Sequence, residues 1–144
     1  MATAHDVAAY ILSSSGRMTA MKLQKLAFYS QAWHLAWEDE PLFEEDIQAW
    51  ANGPVVYSLY DKHRGMFEVS SWEWGNAGAL TNAERETVDA VVDAYGKFSA
   101  HELSEMTHRE DPWRKARAGL PDGARSGATI SQASMHEYYH GLSS

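Results

Sequence analysis

The strongest constraint on the fold is the segment from Ala20 to Trp37. There Leu23, Leu26, Ser30, Trp33 and Trp37 recur at alternating steps of three and four, with Ala27 and His34 beside them. That spacing stacks side chains on one face of an α-helix, and Thr19 stands where an N-cap belongs. The pattern predicts the longest helix of the chain, with a buried face that other elements must cover.

The remaining segments read as shorter helices. Thr3 with Asp6 forms a capping box for a first helix carrying Val7, Tyr10 and Ile11, which ends in Ser13-Ser14-Ser15-Gly16. Ile47 to Ala51 reads as a short strand. Asn52-Gly53-Pro54 is a turn, with Pro54 suited to the first position of a helix that carries Val56, Leu59, Tyr60 and His63. Met66 to Gly78 reads as a hairpin or an aromatic loop. Thr81 with Glu84 and Ser99 with Glu102 open two more helices, the first striped by Val88, Val91, Val92, Tyr95 and Phe98, the second carrying Leu103 and Met106. Asp111-Pro112-Trp113 reads as cap, first turn and anchor of another. Ser131 caps a last helix with Met135, Tyr138 and Leu142 on one side. With no internal repeat or linker, the expectation is one domain over residues 1–144: a mostly α, single compact helical domain with one or two short β segments.

Bulk properties exclude several functions. The chain has no cysteine, which removes disulfides, thiolate metal sites and a Cys nucleophile. The apolar stretch Val7 to Leu12 is too short for a signal sequence and nothing reaches the length of a membrane span, so a soluble, cytoplasmic protein is expected. The formal net charge is −8, of which Glu38, Asp39, Glu40, Glu44, Glu45 and Asp46 supply −6 within nine positions. Such a chain repels a phosphate backbone and attracts a basic protein, so no nucleic-acid partner is expected.

The sharpest local motif is His136-Glu137-Tyr138-Tyr139-His140, an H-E-x-x-H run that on a helix sets two imidazoles one turn apart with a Glu to activate water. A zinc peptidase reading through His136, Glu137 and His140 fails on the missing third ligand, because only Gly141 to Ser144 follow. His34 reads as a hydrogen-bonded core histidine and His108 as a helix-end cap. No nucleophile elbow, phosphate loop or dinucleotide fingerprint is present, so no catalytic residue, metal or cofactor is expected. Gly75, Gly78, Gly119, Gly123 and Gly127 read as turn formers. Arg109, Arg114, Lys115, Arg117 and Arg125 form a basic cluster best read as a solvated helix face. The acidic block is either a solvated loop or a docking surface for a basic partner. Trp72 and Trp74, in a segment without core periodicity, are either core residues or exposed anchors of an interface.

Three runs in order carry a resemblance. Lys22-Leu23-Gln24-Lys25-Leu26-Ala27-Phe28-Tyr29-Ser30-Gln31-Ala32-Trp33-His34 leads to Pro41-Leu42-Phe43. Ala49-Trp50-Ala51-Asn52-Gly53-Pro54-Val55-Val56-Tyr57-Ser58-Leu59-Tyr60 follows. Leu103-Ser104-Glu105-Met106-Thr107-His108 comes last, with Pro112-Trp113 close behind. Together they resemble the Panacea domain family of SocA-like and phage-associated antitoxins, over nearly the whole chain. The resemblance implies an antitoxin that neutralises a protein toxin encoded beside it by direct binding, with a homodimer possible within the complex. Some SocA-like members instead deliver a toxin to a ClpXP-type protease. Neither role needs catalysis. In this reading Leu23 and Leu26 are buried while Lys22 and Lys25 point elsewhere. The Asn52-Gly53-Pro54 turn sets the course of the next helix, and Trp113 is a packing anchor. Trp50, Tyr60, Thr107, His108 and Pro112 complete the structural set. Partner specificity then falls to the acidic block and the Trp72/Trp74 loop.

Overall fold

The computed structural model describes residues 1–143; Ser144, the end of the expected domain range, lies outside the described residues. Thr19 caps α2 (Ala20–Glu38) by accepting from the backbone N–H of Lys22, and the other elements wrap around this helix. They are α1 (Ala4–Ser15), β1 (Met18–Thr19), β2 (Ile47–Trp50), β3 (Gly53–Val56), α3 (Tyr57–His63), β4 (Glu68–Val69), α4 (Asn82–Tyr95), α5 (Ala100–His108), α6 (Asp111–Ala116) and α7 (Gln132–Ser143). The fold is mostly α, with its strands confined to two small antiparallel pairs, as expected.

α2 is buried on all sides rather than along one face, because α1, α4, α5, α7 and the β2–β3 hairpin all pack against it. Leu23, Leu26, Ala27 and Phe28 join the apolar core, but so do the polar Gln24, Lys25, Ser30, Gln31 and His34. Those polar groups hold loops in place. Gln31 accepts from the Leu42 N–H (2.7 Å) and donates to the Phe43 carbonyl (2.7 Å), fixing the Pro41-Leu42-Phe43 turn with both apolar side chains buried. His34 Nδ1 lies 2.8 Å from the Thr87 hydroxyl, the hydrogen-bonded core histidine expected. Trp37, placed on the buried face by its spacing, sits in the last turn of α2, stacks on Trp33 at 5.1 Å and stays 43% exposed.

The capping boxes at Thr3/Asp6, Thr81/Glu84 and Ser99/Glu102 form as read, and Ser131 accepts from the Ser134 N–H to start α7. Three local expectations need correction, and a fourth is decided between its two alternatives. Pro54 does not begin a helix. It is the second residue of β3, paired with Ala49 across a two-residue Ala51-Asn52 turn, and α3 starts at Tyr57. A proline is tolerated there because it lacks only an N–H that a two-stranded ribbon does not need at that place. Met66 to Gly78 is not a self-contained hairpin; its one strand, β4, pairs with β1, and the rest is an aromatic loop with a 3-10 turn at Ala77–Ala79. Asp111 is the first residue of α6, and the backbone of Glu110 takes the cap position. On α7 the buried side is Met135 and Tyr139, whose ring packs among Phe28, Tyr29 and Trp33, while Leu142 in the last turn is left exposed.

Candidate functional site

The three runs that carry the resemblance meet at one place: α2, the hairpin and the α5–α6 corner. Gln24 reads the free edge of β3 like another strand, accepting from the Val56 N–H (2.7 Å) and donating to the Val56 carbonyl (3.1 Å); its amide also lies 2.9 Å from His63 Nε2. The Trp113 indole donates to the Trp50 carbonyl (2.8 Å), and the His108 ring stacks on Trp113 at 4.1 Å. Ser104 donates to the Asn52 carbonyl, and Thr107, fully buried, donates to the Ser104 carbonyl at 2.7 Å. Tyr60 meets Trp50 edge-on at 4.8 Å, and Pro112 is buried beside Trp113. Trp113 is the anchor that was expected.

Both lysines depart from the expectation that they point away. Lys22 donates to the Gly96 carbonyl at 2.6 Å, closing the C-terminal end of α4. Lys25 is 1% exposed, and its ammonium donates to the Pro54 carbonyl at 3.1 Å. Burial pulls the Lys25 amine from 10.5 down to about 7, since the charged form has lost water and gained no carboxylate. Gly53 makes this approach feasible: its φ is +118°, and a Cβ there would stand 2.6 Å from Lys25 Cε and 3.1 Å from Thr107 Oγ1.

Two adjoining hollows open over this cluster. The larger, about 710 Å³, is walled by Met21, Gln24, Trp50, Val55, Tyr60 and Arg125. The smaller, about 200 Å³, is walled by Met21, Lys25, Asn52, Ala100, His101 and Ser104. Met21 and Asn52 line both, so the two hollows adjoin at the tip of the hairpin.

The partner-binding residues read from the sequence lie elsewhere. Glu38, Asp39, Glu40, Glu44 and Asp46 are exposed, while Glu45 is half-buried and accepts from the Ala4 N–H at 3.0 Å. Trp72 is 5% exposed, which corrects the exposed-anchor reading for that ring: its indole donates to His5 Nδ1 at 3.1 Å, and it packs edge-on to His63. Trp74 remains 40% exposed, its ring edge-on to Trp72 at 5.1 Å. Asp6 accepts from the Asn76 N–H at 2.8 Å, and Gly75 is no simple turn former, since a Cβ there would collide with the His5 carbonyl. The first turn of α1 therefore ties the acidic loop on one side and the tryptophan loop on the other.

The H-E-x-x-H helix does not assemble a metal centre. His136 Nε2 lies 2.7 Å from Asp39 Oδ1, its ring stacks on His140 at 5.3 Å, and no group of three or more metal-ligating side chains occurs among the described residues. The basic cluster divides. Arg109, Arg114, Lys115 and Arg125 are solvated, but Arg117 is buried, donating to the carbonyls of Ala49 (3.0 Å), Pro121 (2.9 Å), Asp122 (3.3 Å) and Ala124 while lying over the Trp113 ring at 4.7 Å. Its Trp113-x-x-x-Arg117 spacing, one helical turn, was the available signal. Sequence reading also missed Glu110, half-buried, which accepts from the hydroxyls of Tyr29 (2.7 Å) and Tyr139 (2.8 Å). Desolvation raises its carboxyl above the usual range, more than the two tyrosines lower it.

A family model described as "Antitoxin SocA-like, Panacea domain" matches residues 23–114, well over half of the chain. The matched span runs from within α2 into α6 and takes in Lys25, Gly53, Thr107 and Trp113. No curated protein and no solved structure matches.

Proposed function

The chain belongs to the family of SocA-like antitoxins with a Panacea domain, and on that footing we propose that it neutralises a protein toxin, encoded next to it, by binding it directly. The observation that carries this reading is the family match, joined to the division of labour among the residues. The family-motif side chains are hydrogen-bonded or packed within the fold. Glu38, Asp39, Glu40, Glu44 and Asp46 are exposed at the end of α2 and in the loop after it, with Trp37 exposed immediately before them and Asp39 paired with His136.

An exposed tryptophan beside a block of carboxylates suits a basic partner: charge steers the encounter and the ring fills a pocket. Trp74 adds a second exposed ring on the loop that shares the first turn of α1. No step of this function requires catalysis. No helix among the described residues is long and apolar enough to cross a membrane.

The test is co-expression of the neighbouring open reading frame with this protein, followed by co-purification. Growth arrest by the neighbour, relieved by this protein with recovery of a complex, is the expected result. Replacing Trp37 and Trp74 by Ala and Glu38, Asp39 and Glu40 by Gln should weaken the complex, most at low salt for the charge changes. Rescue without a complex, with toxin levels falling only when a ClpXP-type protease is present, would replace direct neutralisation by proteolytic delivery.

A further inference from the structure

We propose that the recess over Lys25 is a receptor for the carboxylate of an acidic side chain carried by the protein partner. The identity of the carrier rests on the antitoxin reading above; the receptor itself rests on the two hollows.

An ammonium has three N–H donors, and Lys25 has one acceptor, the Pro54 carbonyl. A cation removed from water is ordinarily matched by an anion, because the interior does not otherwise repay its lost hydration. Lys25 has no such match. The titratable groups of the surrounding elements are His63 on α3 and His108 on α5, both of which feel the lysine, and His101 on the recess wall. The carboxylates of the region serve the histidines: Glu105 lies 3.8 Å from His101, and Glu105 and Asp122 act on His108. The recess is thus lined by Lys25 and His101, and among the described residues no carboxylate pairs with the amine.

The shape agrees with the chemistry. A hollow of about 200 Å³ opens between Lys25 and the α5 residues Ala100, His101 and Ser104, room for roughly six waters or one carboxylate with its carbon stem. Across Met21 and Asn52 lies the larger hollow, whose Met21, Trp50, Val55 and Tyr60 walls suit the apolar residues flanking an acidic one on a peptide. A free small anion is disfavoured by the net charge of −8, which repels it at a distance. A carboxylate on a basic protein is drawn in by the same field.

Filling the recess restores the charge of the lysine, so the complex takes up a proton that the free protein lacks. Calorimetry of the purified pair at pH 8, in buffers of different ionisation enthalpy, measures this directly. The expected result is uptake of roughly one proton per complex, abolished in Lys25→Met, with affinity lowered on the order of 30-fold or more. A Lys25→Met protein that binds as tightly as the parent, with the same proton uptake, overturns the proposal and leaves the antitoxin reading standing. Should the neighbouring protein not bind at all, that reading fails, and the receptor is tested alone by NMR of Cε-labelled lysines. Acetate at a concentration that screens the net charge, compared with chloride at equal ionic strength, should raise the titration midpoint of Lys25 by about one pH unit. Equal midpoints in the two salts overturn it.

Discussion

Replacing Lys25 by Met should make this protein more stable at neutral pH, although it deletes a hydrogen bond from the centre of the fold. The side chain is 1% exposed, and its amine falls from 10.5 to about 7 for want of water. A lysine with a depressed folded-state value contributes most above its unfolded value, and that contribution is lost as pH falls toward the folded one. Stability should therefore decline from about pH 10.5 down to about pH 7 and level off below. At pH 7 the accumulated penalty is roughly 4 kcal/mol. Met keeps the stem that fills the space beside Gly53 but leaves the Pro54 carbonyl without its donor, which costs about 1 to 2 kcal/mol. The net gain is roughly 2 to 3 kcal/mol at pH 7, about a 1 M rise in the urea midpoint. Urea unfolding of both proteins at pH 6.5, 8 and 9.5 gives the answer. The advantage of Lys25→Met should shrink steadily as pH rises. A constant difference, or a less stable Met variant at pH 7, would mean that Lys25 keeps its charge with a matched partner when folded, and the desolvation argument would fall.

Two further substitutions probe the same core. Gly53→Ala should destabilise by about 2 to 4 kcal/mol in urea unfolding, since it adds a Cβ against Lys25 and Thr107 to the strain of positive φ; Gly119→Ala, at φ +83° with open space around it, should cost only about 1 kcal/mol. Glu110→Gln keeps an acceptor for both tyrosine hydroxyls and removes a carboxylate whose folded-state value is raised by burial. Because such a group stabilises below its unfolded value and loses that contribution as pH rises through the folded one, the Gln variant should gain on the parent between pH 4 and pH 7 in thermal melts. A gap that does not widen with pH would contradict the raised carboxyl.

The helix starts marked by capping boxes were legible because their causes are local. Thr3 with Asp6, Thr81 with Glu84 and Ser99 with Glu102 close their boxes within one turn, whatever surrounds them. The family likeness was legible for a related reason: its residues recur in fixed runs, and those runs hold the fold together. The exposed acidic block was likewise legible, as a charge density no loop can bury.

Burial was not legible where polar groups were concerned, because it depends on what arrives from the rest of the chain. Hydrophobic periodicity assigned α2 one apolar face. The tertiary structure covered the other with hairpin and loop backbone, so Gln24, Lys25 and Gln31 are buried with main-chain partners that lie 10 or more residues away along the chain. Arg117 went inside for the same reason, meeting the Ala49 carbonyl of β2 together with the carbonyls of the loop that follows α6. Trp37 and Leu142 went the other way, left exposed although their spacing matched buried neighbours. The sequence by itself determined which segments are helices and, where a capping side chain marks the start, where they begin. Only the tertiary structure decided which polar side chains are enclosed, because that depends on donors and acceptors brought together from distant segments.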